Sequence, residues 1–222
     1  LGQSKKIGIM PGSLGEGMVF GVKLLSLFPE NPSKGLSSHI GLITLFDPDT
    51  GIPKGVVNAD MITAIRTAAA SAVATEQLAK DTSKTMAIIG TGEQAEYHIK
   101  SIPLIRPIKE INLVGSSVEK AQIFVDKVSK SSHNLKFEIF EKVKDAVKAS
   151  DIICTVTSSK DPVLFGDWVK SGTHINAVGA SIPLFQEIDI SVITKARLFV
   201  DYIPSALAQA KEILYGIENN IF

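Results

Sequence analysis

The most constraining feature of the sequence is a strand, a glycine turn and a helix in direct succession. The apolar strand Thr85–Ile89 stops at the turn G-T-G-E-Q-A of residues 90–95, and a helix is predicted over Glu93–Ile102. In a G-x-G-x-x-A turn the first glycine permits the tight turn and the second lets the backbone approach a pyrophosphate. The alanine lets the helix pack closely on the sheet. Because the flanking strand and helix are both present, the turn predicts a dinucleotide-binding fold.

Composition limits the class of protein. The 222 residues carry 23 basic and 23 acidic side chains without a basic, aromatic-rich block, so we expect no nucleic-acid partner. No apolar run reaches the roughly 20 residues that a membrane span needs. The single cysteine, Cys154, lies in a strand-like apolar run, which predicts a buried structural thiol and fits a reducing, cytoplasmic compartment. Because the chain begins with Leu1 rather than Met, its N-terminal end gives no basis for judging a targeting segment.

The order of the predicted elements indicates two parts. Residues 1–62 are expected to form strands and turns. Thr63 is the expected N-cap of a connecting helix over residues 63–82, whose alanine-rich run lets another backbone or a ligand approach closely. Strands and helices alternate over residues 83–201, with Arg197–Val200 as the last strand. This alternation predicts an α/β fold with a doubly wound parallel sheet of the Rossmann type.

In such a sheet, ligands bind beyond the carboxyl ends of the strands. Four segments follow predicted strands in this way and supply the candidate cofactor-binding residues: Gly90, Thr91, Gly92, Glu93 and Gln94; Ser116 and Ser117; Thr155, Val156 and Thr157; Val178, Gly179 and Ala180. A strand that ends in V-G-A suits close approach of the backbone to a flat ring, and it suits an ordinary turn equally well.

The loop after the second predicted strand bears on the choice between NAD and NADP. An acidic residue about 20 residues past the glycines would bind the adenosine ribose and repel a 2′-phosphate. No acid occupies positions 115–117, whereas Ser116, Ser117 and the nearby Lys120 can receive a phosphate. The sequence therefore favours NADP(H) over NAD(H), and either serine also suits a helix N-cap.

Two basic residues are candidates for anion binding. Arg66 lies among apolar residues beside Thr67, and its guanidinium matches a carboxylate or phosphate bidentately, although a surface position is the commoner one for an arginine. Lys23 interrupts an apolar strand, and strand alternation favours its turning to solvent. The four histidines are not at metal-ligand spacings, so no metal site is predicted.

Several longer segments are distinctive. They are MPG at 10–12, GVKLLSLFPEN at 21–31, DPDTGIP at 47–53, ITAIRTAAASAVAT at 62–75, IIGTGEQA at 88–95, DIICTVTSS at 151–159, VLFGDW at 163–168 and GTHINAVGAS at 172–181. With these segments the chain resembles the ornithine cyclodeaminase/mu-crystallin family over nearly its whole length. It is more similar to the mu-crystallin and ketimine reductase members than to true cyclodeaminases. The R-T-A-A and H-I-N-A-V-G-A segments are more specific than the glycine turn.

The resemblance implies a Rossmann domain and a smaller, mostly β domain for substrate binding and dimerisation. Residues 1–62 would be part of that smaller domain, and residues 202–222 would begin the segment that returns to it. The family implies a homodimer that binds NAD(H) or NADP(H) and acts on small amino acids or cyclic imino acids. It assigns Lys23 and Arg66 to the substrate carboxylate, as catalytic and substrate-binding residues. Its implied cofactor residues are Thr67, Gly90, Gly92, Gln94, Ser116, Ser117, Thr155, Val178 and Gly179, with Arg66, and with His39 towards the nicotinamide.

Two departures from the family pattern matter. Where true cyclodeaminases have a carboxylate as the expected base, the spacing from Thr155 places Ser159, which we take as a substrate-binding candidate. This replacement argues against cyclodeaminase activity, unless a shift of one or two residues brings Asp161 to that place. Family members are also longer, so a stretch with another carboxylate-binding arginine is expected before Leu1, and the C-terminal segment is expected to continue past Phe222.

The expected activity is reduction of a cyclic ketimine or α-imino acid by NAD(P)H. Lys23 and Arg66 would hold the carboxylate and so position the C=N carbon. Their charge opposes a protonated imine, so an acceptor must lie nearby, and the sequence does not identify it. Three alternatives stay open: an alanine dehydrogenase-like or cyclodeaminase enzyme working oxidatively, a non-catalytic NADPH-dependent binder of a small ligand, and a shortened relative that only dimerises.

Overall fold

A computed structural model describes residues 5–179 and 185–221 of the chain. The chain divides into two compact units, Leu1–Arg66 and Thr67–Phe222. The strands are β1 Lys6–Ser13, β2 Phe20–Leu27, β3 His39–Phe46, β4 Pro53–Asn58, β5 Thr85–Ile89, β6 Glu110–Val114, β7 Lys136–Ile139, β8 Ile152–Thr155 and β9 His174–Ala177. The helices are α1 Ala59–Leu78, α2 Glu93–Ser101, α3 Val118–Val128, α4 Val143–Lys148, α5 Ile190–Lys195, α6 Ile203–Gln209 and α7 Lys211–Glu218. Short 3₁₀ turns occupy Asn31–Lys34, Ile102–Leu104, Ser129–Ser131 and Gly166–Trp168.

The first unit is a four-stranded antiparallel meander with the strand order β1-β2-β3-β4. Registered partners share a face of the sheet, so Lys23 and Ile43 lie on one face and Leu24 and Leu42 lie on the other. No residue of these four strands, all of which the structure describes, is fully buried. The sheet therefore lacks a core of its own on the face that carries Leu24 and Leu42.

Helix α1 begins earlier than predicted. The Asn58 Oδ1 accepts hydrogen bonds from the backbone amides of Asp60 at 2.8 Å and Met61 at 3.2 Å, so Asn58 caps the helix. The prediction of Thr63 as the N-cap was wrong, because two of the unpaired first-turn amides already have an acceptor. Thr63 lies inside the helix, where its hydroxyl donates to the carbonyl oxygen of Ala59 at 2.6 Å.

The C-terminal end of α1 is closed by Arg106, which is 7% exposed. Its guanidinium donates hydrogen bonds of 2.7–3.1 Å to the carbonyl oxygens of Thr75, Glu76, Ala79 and Lys80. The last carbonyls of a helix have no partner within the helix and need one from elsewhere. Arg106 therefore fixes the end of α1 to the segment that precedes β6.

The second unit contains a five-stranded parallel sheet with the order β7-β6-β5-β8-β9. Alternation along β5 sends Met86 and Ile88 into a core with α2 and α3, and Ala87 and Ile89 into a second core with α4, α5 and α7. The strand order reverses at β5, as in Rossmann folds. The predicted α/β fold, with a doubly wound sheet and a smaller β unit, is confirmed.

The predicted last strand is wrong. Residues Arg197–Val200 are irregular, and Leu198, Phe199 and Val200 are exposed. A strand needs a neighbour for its ladder of hydrogen bonds, and the described sheet ends at β9. The segment instead places the Arg197 guanidinium 5.1 Å from the centre of the Phe199 ring.

Candidate active site

The predicted pyrophosphate turn lies between β5 and α2. Gly90 has φ +120°, a conformation that L side chains rarely adopt, and a Cβ there would lie 2.7 Å from the carbonyl oxygen of Val156. At Gly92, by contrast, a Cβ would have no neighbouring atom within 4 Å. Gly92 precedes α2 and has no side chain to cap it. The turn therefore presents open backbone and a helix start to an anion.

Gln94 in the first turn of α2 gives a second sign of a ligand. Its Oε1 is buried and has no hydrogen-bond partner among the described residues, whereas buried polar atoms are almost always paired. The turn also packs against the loop after β6, since a Cβ on Gly115 would lie 3.1 Å from the Thr91 methyl group. Open backbone at Gly92 and the unpaired Gln94 oxygen fit a dinucleotide, which supplies a pyrophosphate and hydrogen-bond donors.

The loop after β6 has one serine in a structural role. The Ser117 Oγ accepts from the backbone amide of Lys120 at 3.3 Å, which confirms Ser117 as the N-cap of α3. A hydrogen bond from Ser117 also lowers the pKa of Glu119. Ser116 and Lys120 are exposed. Ser116 in the loop and Lys120 in the first turn of α3 are therefore both accessible to a ligand.

Glu187 organises the segments after β8 and β9, and sequence reasoning missed it. Its fully buried carboxylate accepts hydrogen bonds from the backbone amides of Thr157 and Gly179, and from the Thr155 hydroxyl at 2.8 Å. Burial raises the pKa of Glu187, and these hydrogen bonds oppose the rise. No local pattern marks this glutamate, because two of its three partners lie 30 and 32 residues away along the chain.

The backbone of Val178 and Gly179, at the V-G-A strand end, packs closely against other residues of the protein. The Val178 amide donates to the carbonyl oxygen of Thr155 at 3.0 Å, and a Cβ on Gly179 would collide with the Glu187 carboxylate and with Thr157. Ala180, the third predicted residue of this segment, lies outside the described residues. Cys154 in β8 is fully buried, and burial raises its pKa to about 12, which confirms a structural thiol.

The first unit brings together four charged or titratable residues that we call the cation cluster: Lys23, His39, Asp60 and Arg66. The Lys23 Nζ donates to the Thr63 hydroxyl oxygen at 2.6 Å, and the residue is half-buried, so the prediction that alternation turns Lys23 to solvent was wrong. Its pKa is lowered by burial and then by the nearby Arg66, while Asp60 opposes this. Arg66 itself is exposed, because its apolar neighbours do not cover it.

Asp60 is the second functional candidate that sequence reasoning missed. Its Oδ1 accepts from the backbone amide of Gly41 at 2.9 Å, which joins α1 to β3. Burial and the charge of Lys23 lower the pKa of His39, and Asp60 again opposes this. Asp60 is therefore the anion that faces these cations. Its position in the first turn of a helix, where acidic residues are common, concealed this role.

Two other predicted residues make unremarkable contacts. The Ser159 hydroxyl donates to the carbonyl oxygen of Asp161 at 2.6 Å, and the Ser159 amide donates to the Thr157 Oγ1 at 3.1 Å. Thr67 is half-buried in α1. Neither arrangement tests their predicted roles in binding, which stay predictions.

Buried polar side chains contact α1 and the start of α2 next to the dinucleotide turn. The Asn176 amide donates to the Thr75 Oγ1 at 3.0 Å. One ring nitrogen of the fully buried His98 lies 2.9 Å from the Ser71 Oγ, and the other lies 2.7 Å from the carbonyl oxygen of Gln94. Burial lowers the pKa of His98, so the neutral ring donates to that carbonyl and accepts from the serine. Asn176 in the H-I-N-A segment is thus a packing residue.

Two absences concern residues 5–179 and 185–221. No described helix has the length and apolarity to cross a membrane. No cluster of three or more His, Cys, Asp or Glu side chains in those ranges could hold a metal ion.

Comparison with known proteins shows the family and the fold. The ornithine cyclodeaminase/mu-crystallin family model matches residues 2–219. The ketimine reductase mu-crystallin of Rattus norvegicus is 35% identical over 208 residues, which are 94% of this chain and 65% of that protein. The chain thus spans about two thirds of the length of that relative.

Two solved structures are also similar. Thermococcus litoralis Δ1-pyrroline-2-carboxylate reductase, in complex with NADH and L-proline, superimposes with a TM-score of 0.93 at 34% identity over 99% of this chain and 68% of that one. An archaeal alanine dehydrogenase dimer with bound NAD gives a TM-score of 0.84 at 27% identity over 98% of this chain and 70% of that one. The chain therefore belongs to the ornithine cyclodeaminase/mu-crystallin family.

Proposed function

We propose that the chain is an NAD(P)H-dependent oxidoreductase that acts on the C=N or CH–NH bond of a small amino or cyclic imino acid, as a ketimine reductase does. The observation that carries the proposal is the cation cluster. Lys23 and Arg66 lie close enough for the arginine to lower the pKa of the lysine, and such a pair favours a bound anion. A substrate carboxylate would be that anion.

The cofactor would be held by the second unit. Of the predicted cofactor residues that the structure describes, His39 and Arg66 lie in the first unit, and those of the second unit are Thr67, Gly90, Thr91, Gly92, Glu93, Gln94, Ser116, Ser117, Thr155, Val156, Thr157, Val178 and Gly179. The Thermococcus relative binds NADH and the archaeal dehydrogenase binds NAD, which supports a nicotinamide dinucleotide here. When bound, the nicotinamide would supply a hydride to the carbon of the C=N bond.

The residues of the first unit would bind and orient the substrate. Lys23 and Arg66 would hold its carboxylate, and this orientation is the main catalytic contribution of the protein. Asp60 would offset the positive charge of the protonated imine, which is the acceptor role that the sequence left unassigned. His39 would line the nicotinamide side, and its pKa is lowered from the usual value of a histidine. Ser159 is retained as a further candidate for substrate binding.

The proposal is tested by following NADPH and NADH absorbance with Δ1-pyrroline-2-carboxylate, Δ1-piperideine-2-carboxylate, and pyruvate plus ammonia. We expect cofactor oxidation with at least one of the two cyclic imines. Absence of oxidation by all of these substrates, with a protein that binds the cofactor, would leave the non-catalytic binder as the function.

A second candidate is an alanine dehydrogenase-like enzyme, which the similarity to the archaeal dehydrogenase favours. The same assay separates the two. Turnover with pyruvate plus ammonia, and with L-alanine and the oxidised cofactor, would favour the dehydrogenase. Ammonia release from ornithine would favour a cyclodeaminase and would show that Ser159 does not exclude that activity.

For the cofactor we propose a preference for NADP(H). Ser116 and Lys120 are exposed beside the N-terminus of α3, and both suit a 2′-phosphate. The measurement is the ratio of kcat/KM for NADPH and NADH. Lys120→Ala should lower this ratio, whereas Lys127→Ala, which removes an exposed lysine paired with Glu96, should not. A wild-type ratio below one would contradict the preference.

We further propose that the chain forms a homodimer through the meander of the first unit. On the face opposite Lys23, the registered residues Ile9, Leu24 and Leu42 form an apolar row, and Ile9 is 65% exposed. Such a row needs a covering surface, and the archaeal relative is a dimer. Light scattering on the purified protein in solution should give a molar mass twice that of one chain. Ile9→Lys should give monomers and Ile123→Lys, at a 69% exposed position of α3, should not. A monomeric wild type would refute this arrangement.

A further inference from the structure

Glu187 makes one carboxylate the common acceptor for two strand ends. One of its oxygens accepts the Thr157 amide, and the other accepts the Gly179 amide and the Thr155 hydroxyl. Its own carbonyl oxygen accepts the amides of Val163 and Leu164 at 2.8 and 3.0 Å. The residue is therefore fixed at both its backbone and its side chain, and it is fully buried.

Among the described residues, few backbone hydrogen bonds join the two segments that Glu187 binds. The ladder between β8 and β9 ends with the pair Thr155 and Ala177, and one further bond joins Val178 to Thr155. Beyond that bond, the carboxylate accepts the Thr157 amide from one segment and the Gly179 amide from the other. Gly179 lacks the side chain that would collide with it. Together these contacts set the spacing of the two segments.

The position of these segments in the sheet decides which half of a dinucleotide they serve. A dinucleotide crosses a Rossmann sheet at the strand where the order reverses, which is β5 here. Ser116 and Ser117 follow β6 on one side of β5 and suit the adenosine ribose. The nicotinamide half then falls on the other side, beyond β8 and β9.

We propose that Glu187 is a positioning residue for the nicotinamide half of the cofactor, a role that rests on the proposed function. It fixes the backbone of Thr157 and Gly179, and it acts on the cofactor only through those segments. The adenosine and pyrophosphate half, held by Gly90, Gly92 and the loop after β6, does not depend on it.

The test compares two ligands with the variant Glu187→Gln. Glutamine keeps the volume, but its amide group has one acceptor oxygen and turns an NH₂ donor towards one of the two amides. An unsatisfied buried donor costs enough to weaken binding by about tenfold. Calorimetric titration should therefore give a Kd for NADH raised by about tenfold or more. The Kd for ADP-ribose, which lacks only the nicotinamide, should stay within about twofold of the wild-type value.

Glu212→Gln is the matched control. Glu212 is another buried glutamate, 5% exposed, and its Oε2 has no hydrogen-bond partner among the described residues. Neutralising it should leave both dissociation constants unchanged. If Glu187→Gln fails to fold, Thr155→Val can replace it, because this variant removes a single donor from the same carboxylate. Thr155→Val should weaken the binding of NADH by a smaller factor and leave the binding of ADP-ribose unchanged.

The outcomes separate this role from the proposed function. Equal weakening of both ligands by Glu187→Gln would show general loosening of the fold and overturn the role. Unchanged NADH affinity would overturn it as well. A wild-type protein that binds none of NADH, NADPH and ADP-ribose would refute the proposed function itself, and the positioning role with it.

Discussion

Two alanine substitutions in the dinucleotide turn should affect different properties. Gly90→Ala should lower the stability of the free protein, whereas Gly92→Ala should weaken cofactor binding. Gly90→Ala places a side chain on a backbone with φ +120° and puts its Cβ 2.7 Å from the Val156 carbonyl oxygen, a backbone atom that cannot give way cheaply. Strain of this kind costs about 1–3 kcal/mol. At about 2–4 °C per kcal/mol for a chain of this size, Tm without ligand should fall by about 2–12 °C.

Gly92→Ala should leave the free protein unchanged. Gly92 has φ −86°, which any residue adopts, and beyond its neighbours in the chain no described atom lies within 4 Å of the added methyl group. The same open space is where the pyrophosphate would lie. Crowding a close contact by one methyl group costs about 1–3 kcal/mol, which raises the Kd for NADH by about 5- to 150-fold.

Differential scanning fluorimetry without ligand and calorimetric titration with NADH measure the two effects on the same samples. The reasoning is refuted if Gly92→Ala binds NADH with wild-type affinity, because the pyrophosphate would then lie elsewhere. It is refuted equally if Gly92→Ala lowers Tm as much as Gly90→Ala does.

Three further predictions concern single residues. Lys23→Met should lower kcat/KM for the imino acid by about 10- to 150-fold, because it removes a charge-assisted hydrogen bond to the carboxylate. The control Lys54→Met, at an exposed lysine, should leave kcat/KM unchanged. Equal effects of the two substitutions would contradict the carboxylate role. The pKa of Lys23 is lowered from 10.5, and carboxylate binding needs the protonated amine, so KM should begin to rise at a pH below 10.5. Lys23→Arg should shift this rise in KM to higher pH. The same pH profile in both proteins would contradict the role of Lys23. Arg106→Met should lower the free energy of unfolding by about 3 kcal/mol in urea, because it leaves helix carbonyls unpaired; wild-type stability would be the contrary result.

The fold was predictable because its signals are local. The apolar run Thr85–Ile89, the glycines after it and the 3.6-residue pattern of α3 each specify structure within a few residues. The predicted strand at Arg197–Val200 failed for the opposite reason. A strand depends on a neighbour in the sheet, and an apolar stretch of four residues does not show whether that neighbour exists.

The candidate site was predictable where a residue type has few roles, as at Gly90 and Gly92. Glu187 was not predictable, because its role depends on three donors from two other segments, two of them 30 and 32 residues away and the third eight residues away. Lys23 was misjudged from alternation alone, since the packing of Thr63 from α1 decides its burial. Asp60 was hidden by the ordinary preference of helix starts for acidic residues.

The most direct test of the account is calorimetric titration of the purified chain with NADPH and NADH, followed by addition of Δ1-pyrroline-2-carboxylate. The account predicts saturable binding of one cofactor molecule per chain and, with the imine, loss of reduced-cofactor absorbance. A chain that binds neither NADPH nor NADH would contradict the proposed dinucleotide site and the activity that depends on it.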